Sequence, residues 1–113
     1  METWRCAAAA VGPGFGVRFQ LAAADRAAVD GFVVNHAGEH HAYVNRCPHA
    51  GTPLDRPPHG FLTEDGRHLV CSTHGAVFAP ETGICVEGPC PGARLQPLRV
   101  ERVGEDLVIT WPT

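Results

Sequence analysis

The sequence predicts an all-β domain, and three observations support that prediction. Helical periodicity is not sustained over any window of the 113 residues. The 13 glycines and 10 prolines divide the chain into short pieces. Between them lie runs of four or five residues rich in β-branched and aromatic side chains. Strands at this spacing are typical of a sandwich or barrel-like domain, and the length suits one domain covering residues 1–113.

The elements follow in chain order. The opening segment METWRCAAAAVGPG predicts a first strand and then a loop, because its apolar run is too short for a signal peptide. Residues 22–30, AAADRAAVD, lack an apolar stripe and are predicted to be a loop. Further strands are predicted at residues 17–21, 32–36, 41–45, 68–71, 76–79, 98–101 and 107–110. Turn residues separate these strands at 37–39, 64–66, 81–83 and 104–106.

Composition narrows the class of partner and the compartment. The net charge is -3 and all nine basic residues are arginine, so no basic surface for nucleic acid is expected. No apolar run approaches the roughly 20 residues that span a bilayer, which predicts a cytoplasmic protein with no membrane partner. The chain holds five cysteines, an odd number that suits a disulfide framework poorly. In a reducing compartment, cysteine clustered with histidine indicates a metal.

Two Gly- and Pro-rich segments each hold one cysteine and one histidine. NRCPHAGTPLD (45–55) holds Cys47 and His49, and VCSTHGAVF (70–78) holds Cys71 and His74. Two thiolates and two imidazoles can bind either a tetrahedral zinc ion or a [2Fe–2S] cluster. Zinc sites usually pair ligands as C-x₂-C with H-x₃₋₅-H, whereas the spacings here are C-x-H and C-x-x-H. This favours a binuclear centre in which each segment gives one ligand to each iron, with zinc as the alternative.

These motifs resemble the Rieske iron–sulfur signature. CPHAGTPL (47–54) is similar to its C-P-H-x-G-x-x-L half and CSTHGAVF (71–78) to its C-x-x-H-G-x-x-F half. GPCPG (88–92) resembles the proline loop that covers the cluster in that family. The resemblance implies a Rieske fold of three stacked antiparallel sheets, with a cluster-binding subdomain at about residues 46–92 and one [2Fe–2S] cluster per chain.

The resemblance also implies a role for each ligand. Cys47 and Cys71 would bind the buried iron, and His49 and His74 would bind the outer iron. Each imidazole would leave one nitrogen facing solvent, where the electron would leave the protein.

The resemblance is closest to the low-potential Rieske-type ferredoxins. Rieske proteins of bc complexes carry an extra, disulfide-forming cysteine in each ligand loop, at positions that match Thr52 and Thr73. They also place hydroxyl donors near the cluster, at positions that match Ala76 and Phe78. Without those donors the added electron is stabilised less, so we expect a potential in the lower part of the roughly -150 to +300 mV Rieske range.

The function implied is electron transfer rather than catalysis. The chain would pass single electrons from a flavin reductase to a terminal oxygenase or other oxidoreductase. Two alternatives remain at this point: a small Rieske subunit of a nitrite-reductase-like enzyme, and a non-redox, metal-stabilised regulatory module. No catalytic residues are predicted, since the chain shows no paired carboxylates and no Ser–His–Asp set.

The remaining cysteines and histidines are given structural roles. Cys85 and Cys90 are interpreted as a small buried residue and a small loop residue, in preference to a redox-active pair. Cys6 lies in the predicted first strand and is expected to be structural. The other histidines are predicted to be surface or turn residues, with the adjacent His40 and His41 on opposite faces of a strand: His36, His40, His41, His59 and His68.

Overall fold

A computed structural model of the protein describes residues 3–12, 16–23, 26–46, 67–71, 76–88 and 92–111, with the backbone alone at 23, 26 and 27. These ranges contain nine strands and one short 3₁₀ helix, Ala8–Ala10. The strands are β1 Thr3–Ala7, β2 Gly16–Ala23, β3 Arg26–His36, β4 Glu39–Val44, β5 Leu69–Val70, β6 Val77–Phe78, β7 Cys85–Glu87, β8 Pro97–Val103 and β9 Asp106–Thr110. In the same ranges, no helix has the length and apolar character that crossing a bilayer requires.

The strands form two antiparallel sheets. The larger has the order β1-β9-β8-β4-β3-β2, and the smaller has the order β5-β6-β7. The larger sheet is weakly joined at its centre, where β4 meets β8 through only two residue pairs, Ala42 with Leu98 and Tyr43 with Pro97. It therefore divides into two layers of three strands, β1/β9/β8 and β2/β3/β4.

The outer strands of the larger sheet are brought together by aromatic side chains. The rings of Trp4 in β1 and Phe19 in β2 stack at 4.6 Å between centroids. The indole N–H of Trp111 donates to the carbonyl of Ala22 in β2 at 3.0 Å. The sheet thus curls, and its enclosed face holds the larger apolar core.

The β3–β4 hairpin is the middle layer of the molecule and is buried on both faces. Val33 and Ala42 point into the core enclosed by the larger sheet. Phe32, Val34 and Tyr43 point the other way and pack with side chains of the smaller sheet. Alternate residues of a strand face opposite sides, so a strand between two layers needs apolar residues at consecutive positions. Three layers are therefore stacked, as the resemblance to the Rieske family implied, with two of the layers formed by one sheet.

Most of the predicted elements are confirmed, with changed bounds. Every predicted strand overlaps an observed one, and the first strand is Thr3–Ala7. Turns are observed at residues 37–38, 80–82 and 104–105, while the turn predicted at 64–66 lies outside the described residues. The β3–β4 turn contains Ala37 and Gly38 at φ 53° and 84°, the left-handed pair that suits a tight hairpin.

One prediction of local structure is wrong, and one strand was missed. The described part of the predicted loop 22–30 lies in strands instead, since β2 runs to Ala23 and β3 begins at Arg26. Pairing with the neighbouring strand, such as Leu21 with Val29, holds this alanine-rich stretch in the sheet despite its weak local preference. Strand β7, Cys85–Glu87, was not predicted, because three residues are too few to show alternation.

Candidate metal centre

Cys71 is the one predicted ligand that lies within the described residues, and it directly follows β5. The β5–β6 pairing continues beyond the two strands, because the N–H of Cys71 donates to the carbonyl of Ala76 at 2.8 Å. Residues 72–75, the second connection, therefore join two paired residues, and His74 is one of the four. Cys47, His49 and His74 lie outside the described residues.

The surroundings of Cys71 are apolar. Its side chain is 0 % exposed and belongs to the core cluster that contains Phe32, Leu69 and Phe78. A thiolate without a partner would be costly in such surroundings, while a metal ion compensates its charge. The site thus suits a cysteine that binds the inner iron of a cluster shielded from water.

The first connection, residues 47–66, leaves the sheet at the end of β4. Asn45 is 4 % exposed, and its backbone N–H donates to the carbonyl of Asp30 at 2.8 Å. The N–H of Arg46 donates to the carbonyl of Val44 at 2.8 Å, which closes a three-residue turn. The chain is thus held by the sheet up to the residue before Cys47.

The third connection, residues 88–91, is closed at its base by Cys85. The N–H of Cys85 donates to the carbonyl of Ala93 at 2.7 Å, and the N–H of Gly92 donates to the carbonyl of Cys85 at 3.1 Å. The Cys85 side chain is 3 % exposed, and its thiol donates to the carbonyl of Glu87 at 3.3 Å. Cys85 is buried at a strand start, close to the prediction. Cys90 lies outside the described residues, so its interpretation as a small loop residue remains a prediction.

The second and third connections leave the smaller sheet at the same end. Strand β7 is antiparallel to β6, and Glu87 pairs with Val77. The end of β7 therefore lies beside the start of β6, where Ala76 pairs with Cys71. The residues that flank the second and third connections, Ala76 and Glu87, therefore lie at one end of the smaller sheet.

Comparison with known proteins identifies the family. The family model described as "Rieske [2Fe-2S] domain" matches residues 5–112. The chain belongs to this Rieske family. Its cofactor is accordingly a [2Fe–2S] cluster, as the sequence predicted, and the buried thiol of Cys71 suits it.

Similar proteins give the same picture of this Rieske chain. It is 38 % identical over 80 residues to the ferredoxin component of the alkene monooxygenase system of Xanthobacter autotrophicus, a match covering 71 % of this chain and 62 % of that one. The chain thus spans less than two thirds of that relative's length.

Solved structures share the fold. The ferredoxin of carbazole 1,9a-dioxygenase from Nocardioides aromaticivorans IC177 superposes with a TM-score of 0.78 at 20 % identity, covering 99 % of this chain and all of the other. The terminal oxygenase of carbazole 1,9a-dioxygenase from Novosphingobium sp. KA1 superposes with a TM-score of 0.80 at 18 % identity, covering 98 % of this chain and 30 % of that one. Both likenesses show the Rieske fold, which is the fold that the resemblance implied.

Two apolar side chains, Ala76 and Phe78, lie in the same core cluster as Cys71. Both side chains are 0 % exposed. Neither side chain can donate a hydrogen bond. The described positions that match hydroxyl donors in bc-type Rieske proteins therefore supply packing alone.

The histidines outside the motifs of this Rieske domain are more buried than predicted. His40 and His41 point to opposite faces of β4, as expected. Nε2 of His40 lies 3.1 Å from the carbonyl oxygen of Val11, and Nε2 of His41 lies 3.8 Å from the Glu39 carboxylate with the His41 side chain 18 % exposed. Burial lowers the pKa of His41, outweighing the opposite effect of the Glu39 carboxylate.

A metal site elsewhere finds no support among the described residues. There, no three or more His, Cys, Asp or Glu side chains are grouped so as to hold a metal ion.

His36, which lies 3.6 Å from the Glu81 carboxylate, is half-buried rather than a surface residue. His59 lies outside the described ranges. Cys6 is partly buried in β1, as predicted.

One group of polar residues near the first connection was not predicted from the sequence. Arg18, Gln20 and Asn45 all donate hydrogen bonds to the carboxylate of Asp30. The signal available in the sequence was the alternation of Arg18 and Gln20 on one face of β2. The register that sets them beside Asp30 was not available.

Proposed function

We propose that this chain is a one-electron carrier, a Rieske-type ferredoxin in which Cys47, His49, Cys71 and His74 hold the [2Fe–2S] cluster. The proposal includes a single domain, 1–113, with a cluster-binding subdomain at about residues 46–92. The observation that carries the ligand assignment is the position of Cys71, which is fully buried and paired to Ala76 across the segment that contains His74.

The chain's own residues set the surroundings of the redox group. The bound cluster supplies reversible one-electron chemistry, its charge with two thiolates changing from zero to -1. Phe32, Leu69 and Phe78 keep water from Cys71. Because positions 76 and 78 have no side-chain donor, the negative charge lacks the hydrogen bonds that hydroxyl groups there would give, and we expect the chain to deliver its electron at low potential.

The partners proposed are a flavin reductase as donor and a terminal oxygenase as acceptor. The relative from Xanthobacter is a component of a monooxygenase system, and one similar structure is a complex of oxygenase and ferredoxin in carbazole 1,9a-dioxygenase, with a TM-score of 0.76. Such electron-transfer encounters have small interfaces and are transient. We place the chain in the cytoplasm, because an odd cysteine count with Cys–His motifs suits a reducing compartment.

Two cysteine variants test the ligand assignment. Cys71→Ala should lose iron and visible absorbance, because a buried thiolate ligand is removed. Cys6→Ala is the matched control, since Cys6 lies in β1, and it should keep the wild-type iron content. Far-UV circular dichroism reports whether each variant keeps its strands. A Cys71→Ala protein that retains two irons per chain would show that the ligand set is wrong.

Electron transfer itself is tested by reductive titration of the purified holoprotein. The chain should take up one electron per cluster from dithionite, return it on reoxidation, and reduce a reconstituted terminal oxygenase while eluting alone in gel filtration. Stable co-purification with a large enzyme would favour the nitrite-reductase-like subunit. A metal centre that cannot be reversibly reduced would favour the regulatory module.

A further inference from the structure

A carboxylate lies at the centre of a hydrogen-bond network that ends two residues before Cys47. Asp30 is in β3 with its side chain 23 % exposed. Nη2 of Arg18 donates to its Oδ2 at 2.7 Å, Nε2 of Gln20 donates to its Oδ1 at 2.7 Å, and Nδ2 of Asn45 donates to its Oδ2 at 2.9 Å. One carboxylate thus connects β2, β3 and the exit from β4.

The contacts with Asn45 hold both its backbone and its side chain. In addition to the amide bond from Nδ2, the backbone N–H of Asn45 donates to the carbonyl of Asp30 at 2.8 Å. Asn45 is 4 % exposed. Because the next residue, Arg46, turns back onto the carbonyl of Val44, the direction in which the chain leaves the sheet depends on how Asn45 is held.

The network lies on the face of the middle layer that packs against the smaller sheet. Asp30 and Phe32 are two residues apart in one strand, so their side chains share a face. Phe32 belongs to the core cluster that contains Cys71. The same face of β3 therefore packs with Cys71 through Phe32 and, through Asp30, holds Asn45, which lies two residues before Cys47.

The charges explain why an aspartate is needed here. Three side chains donate hydrogen bonds to the side chain at position 30. The two oxygens of a carboxylate can accept all three bonds, whereas the single oxygen of an amide cannot. The guanidinium of the exposed Arg18 supplies the opposite charge to the partly buried carboxylate of Asp30. An amide at position 30 would direct its NH₂ group at one or two of these donors.

We propose that Asp30 is a positioning residue for the [2Fe–2S] centre, holding Asn45 and thereby the start of the segment that carries Cys47 and His49. This inference rests on the proposed ligand set. Groups that orient metal ligands from outside the coordination shell typically change metal affinity about 10- to 100-fold when they are replaced. The effect should appear as faster loss of the cluster, with little change in the fold.

The test measures iron release from the holoprotein to an excess of a strong iron chelator, followed by the loss of visible absorbance. Asp30→Asn and Asn45→Ala should each release iron about 10- to 100-fold faster than wild type. The double variant Asp30→Asn with Asn45→Asp can re-form one hydrogen bond between the two positions, with donor and acceptor exchanged. It should therefore release iron more slowly than the single variants.

Two control variants separate positioning from general stability. Gln20→Ala removes one bond to Asp30 without touching Asn45. Asp106→Asn removes an exposed arginine–aspartate ion pair, Arg5 with Asp106 at 2.8 Å, on the distant β1–β9 pair. Both should release iron within about twofold of wild type. The apparent Tm is recorded for every variant at one heating rate.

The outcomes decide between the possibilities. If Asp30→Asn and Asn45→Ala release iron no faster than Asp106→Asn, or if rates simply follow the loss in Tm, Asp30 is a structural residue and the inference is wrong. If Asp30→Asn does not fold, Asn45→Ala and the double variant give the same decision. A wild-type protein that holds no [2Fe–2S] cluster would instead overturn the proposed function.

Discussion

Gly83→Ala should destabilise the interface between the middle layer and the smaller sheet. Gly83 has a φ of 75°, and a Cβ there would lie 2.7 Å from Cε1 of Tyr43 and 3.3 Å from Cβ of Leu95. The Tyr43 ring is tethered, because its hydroxyl donates to the carbonyl of Pro80. The backbone is tethered too, since the N–H of Gly83 donates to Ala79 at 2.7 Å and its carbonyl accepts from Leu95 at 2.9 Å.

Gly38→Ala is the matched control and sets the magnitude. Gly38 has a φ of 84°, but nothing lies within 4 Å of a Cβ built there. The left-handed backbone costs an alanine about 1–2 kcal/mol, offset by about 0.4–1 kcal/mol from the stiffer unfolded chain, so the control should lose about 1 kcal/mol. Overpacking adds about 1–3 kcal/mol at Gly83, for a total of about 2–4 kcal/mol.

Thermal unfolding of the two holoproteins at one heating rate measures the difference. For a chain of this size, 1 kcal/mol corresponds to about 4 °C in Tm, so Gly38→Ala should lose about 4 °C and Gly83→Ala about 8–16 °C. Equal losses in the two variants would refute the reasoning, because they would mean that the contact with Tyr43 costs nothing.

Three further predictions concern His41, Tyr43 and the redox potential. Burial lowers the pKa of His41 although the Glu39 carboxylate acts to raise it, so the unfolded state binds more protons than the folded state as the pH falls below about 6.5. The free energy of unfolding of wild type relative to His41→Gln should therefore decrease as the pH falls from 7.5 to 5.5, and a constant difference would contradict this. Tyr43→Phe removes the buried hydrogen bond to Pro80 and should lower the free energy of unfolding by about 1 kcal/mol in urea titrations, while an unchanged midpoint would show that the bond is neutral. With alanine at position 76, a potentiometric titration should give a value in the lower part of the roughly -150 to +300 mV range, and a value near the top would be inconsistent with missing hydrogen-bond donors.

The resemblance to the Rieske family implied three stacked layers, and burial of the middle layer on both faces also leaves a pattern in the sequence. Phe32, Val33 and Val34 are consecutive and apolar, as a strand covered on both faces requires. Glycine and acidic residues marked the hairpin turns at 37–38 and 104–105. These features are local, so a single sequence displays them.

Features that depend on pairing between distant segments were not accessible. Ala23 and Arg26 lie in strands because β2 and β3 pair along their length, and no apolar alternation announces this. Strand β7 exists through its pairing with β6, which includes Phe78 with Cys85. Tertiary contacts override weak local preference in both cases.

The candidate site divides in the same way. Cysteine and histidine are rare, chemically distinct residues, so Cys47, His49, Cys71 and His74 stand out in the sequence. The network around Asp30 did not stand out, because its members are 12 and 15 residues apart and meet only through strand register. Ordinary polar residues acquire a role there from their geometry alone.

Pulsed EPR of the dithionite-reduced protein, prepared with and without ¹⁵N-labelled histidine, tests mixed ligation most directly. Two loops that each give one sulfur and one imidazole nitrogen predict one unpaired electron per chain with hyperfine couplings from two histidine nitrogens, which change on labelling. A reduced cluster without nitrogen couplings, or a colourless protein that holds one zinc per chain, would contradict the assignment of His49 and His74.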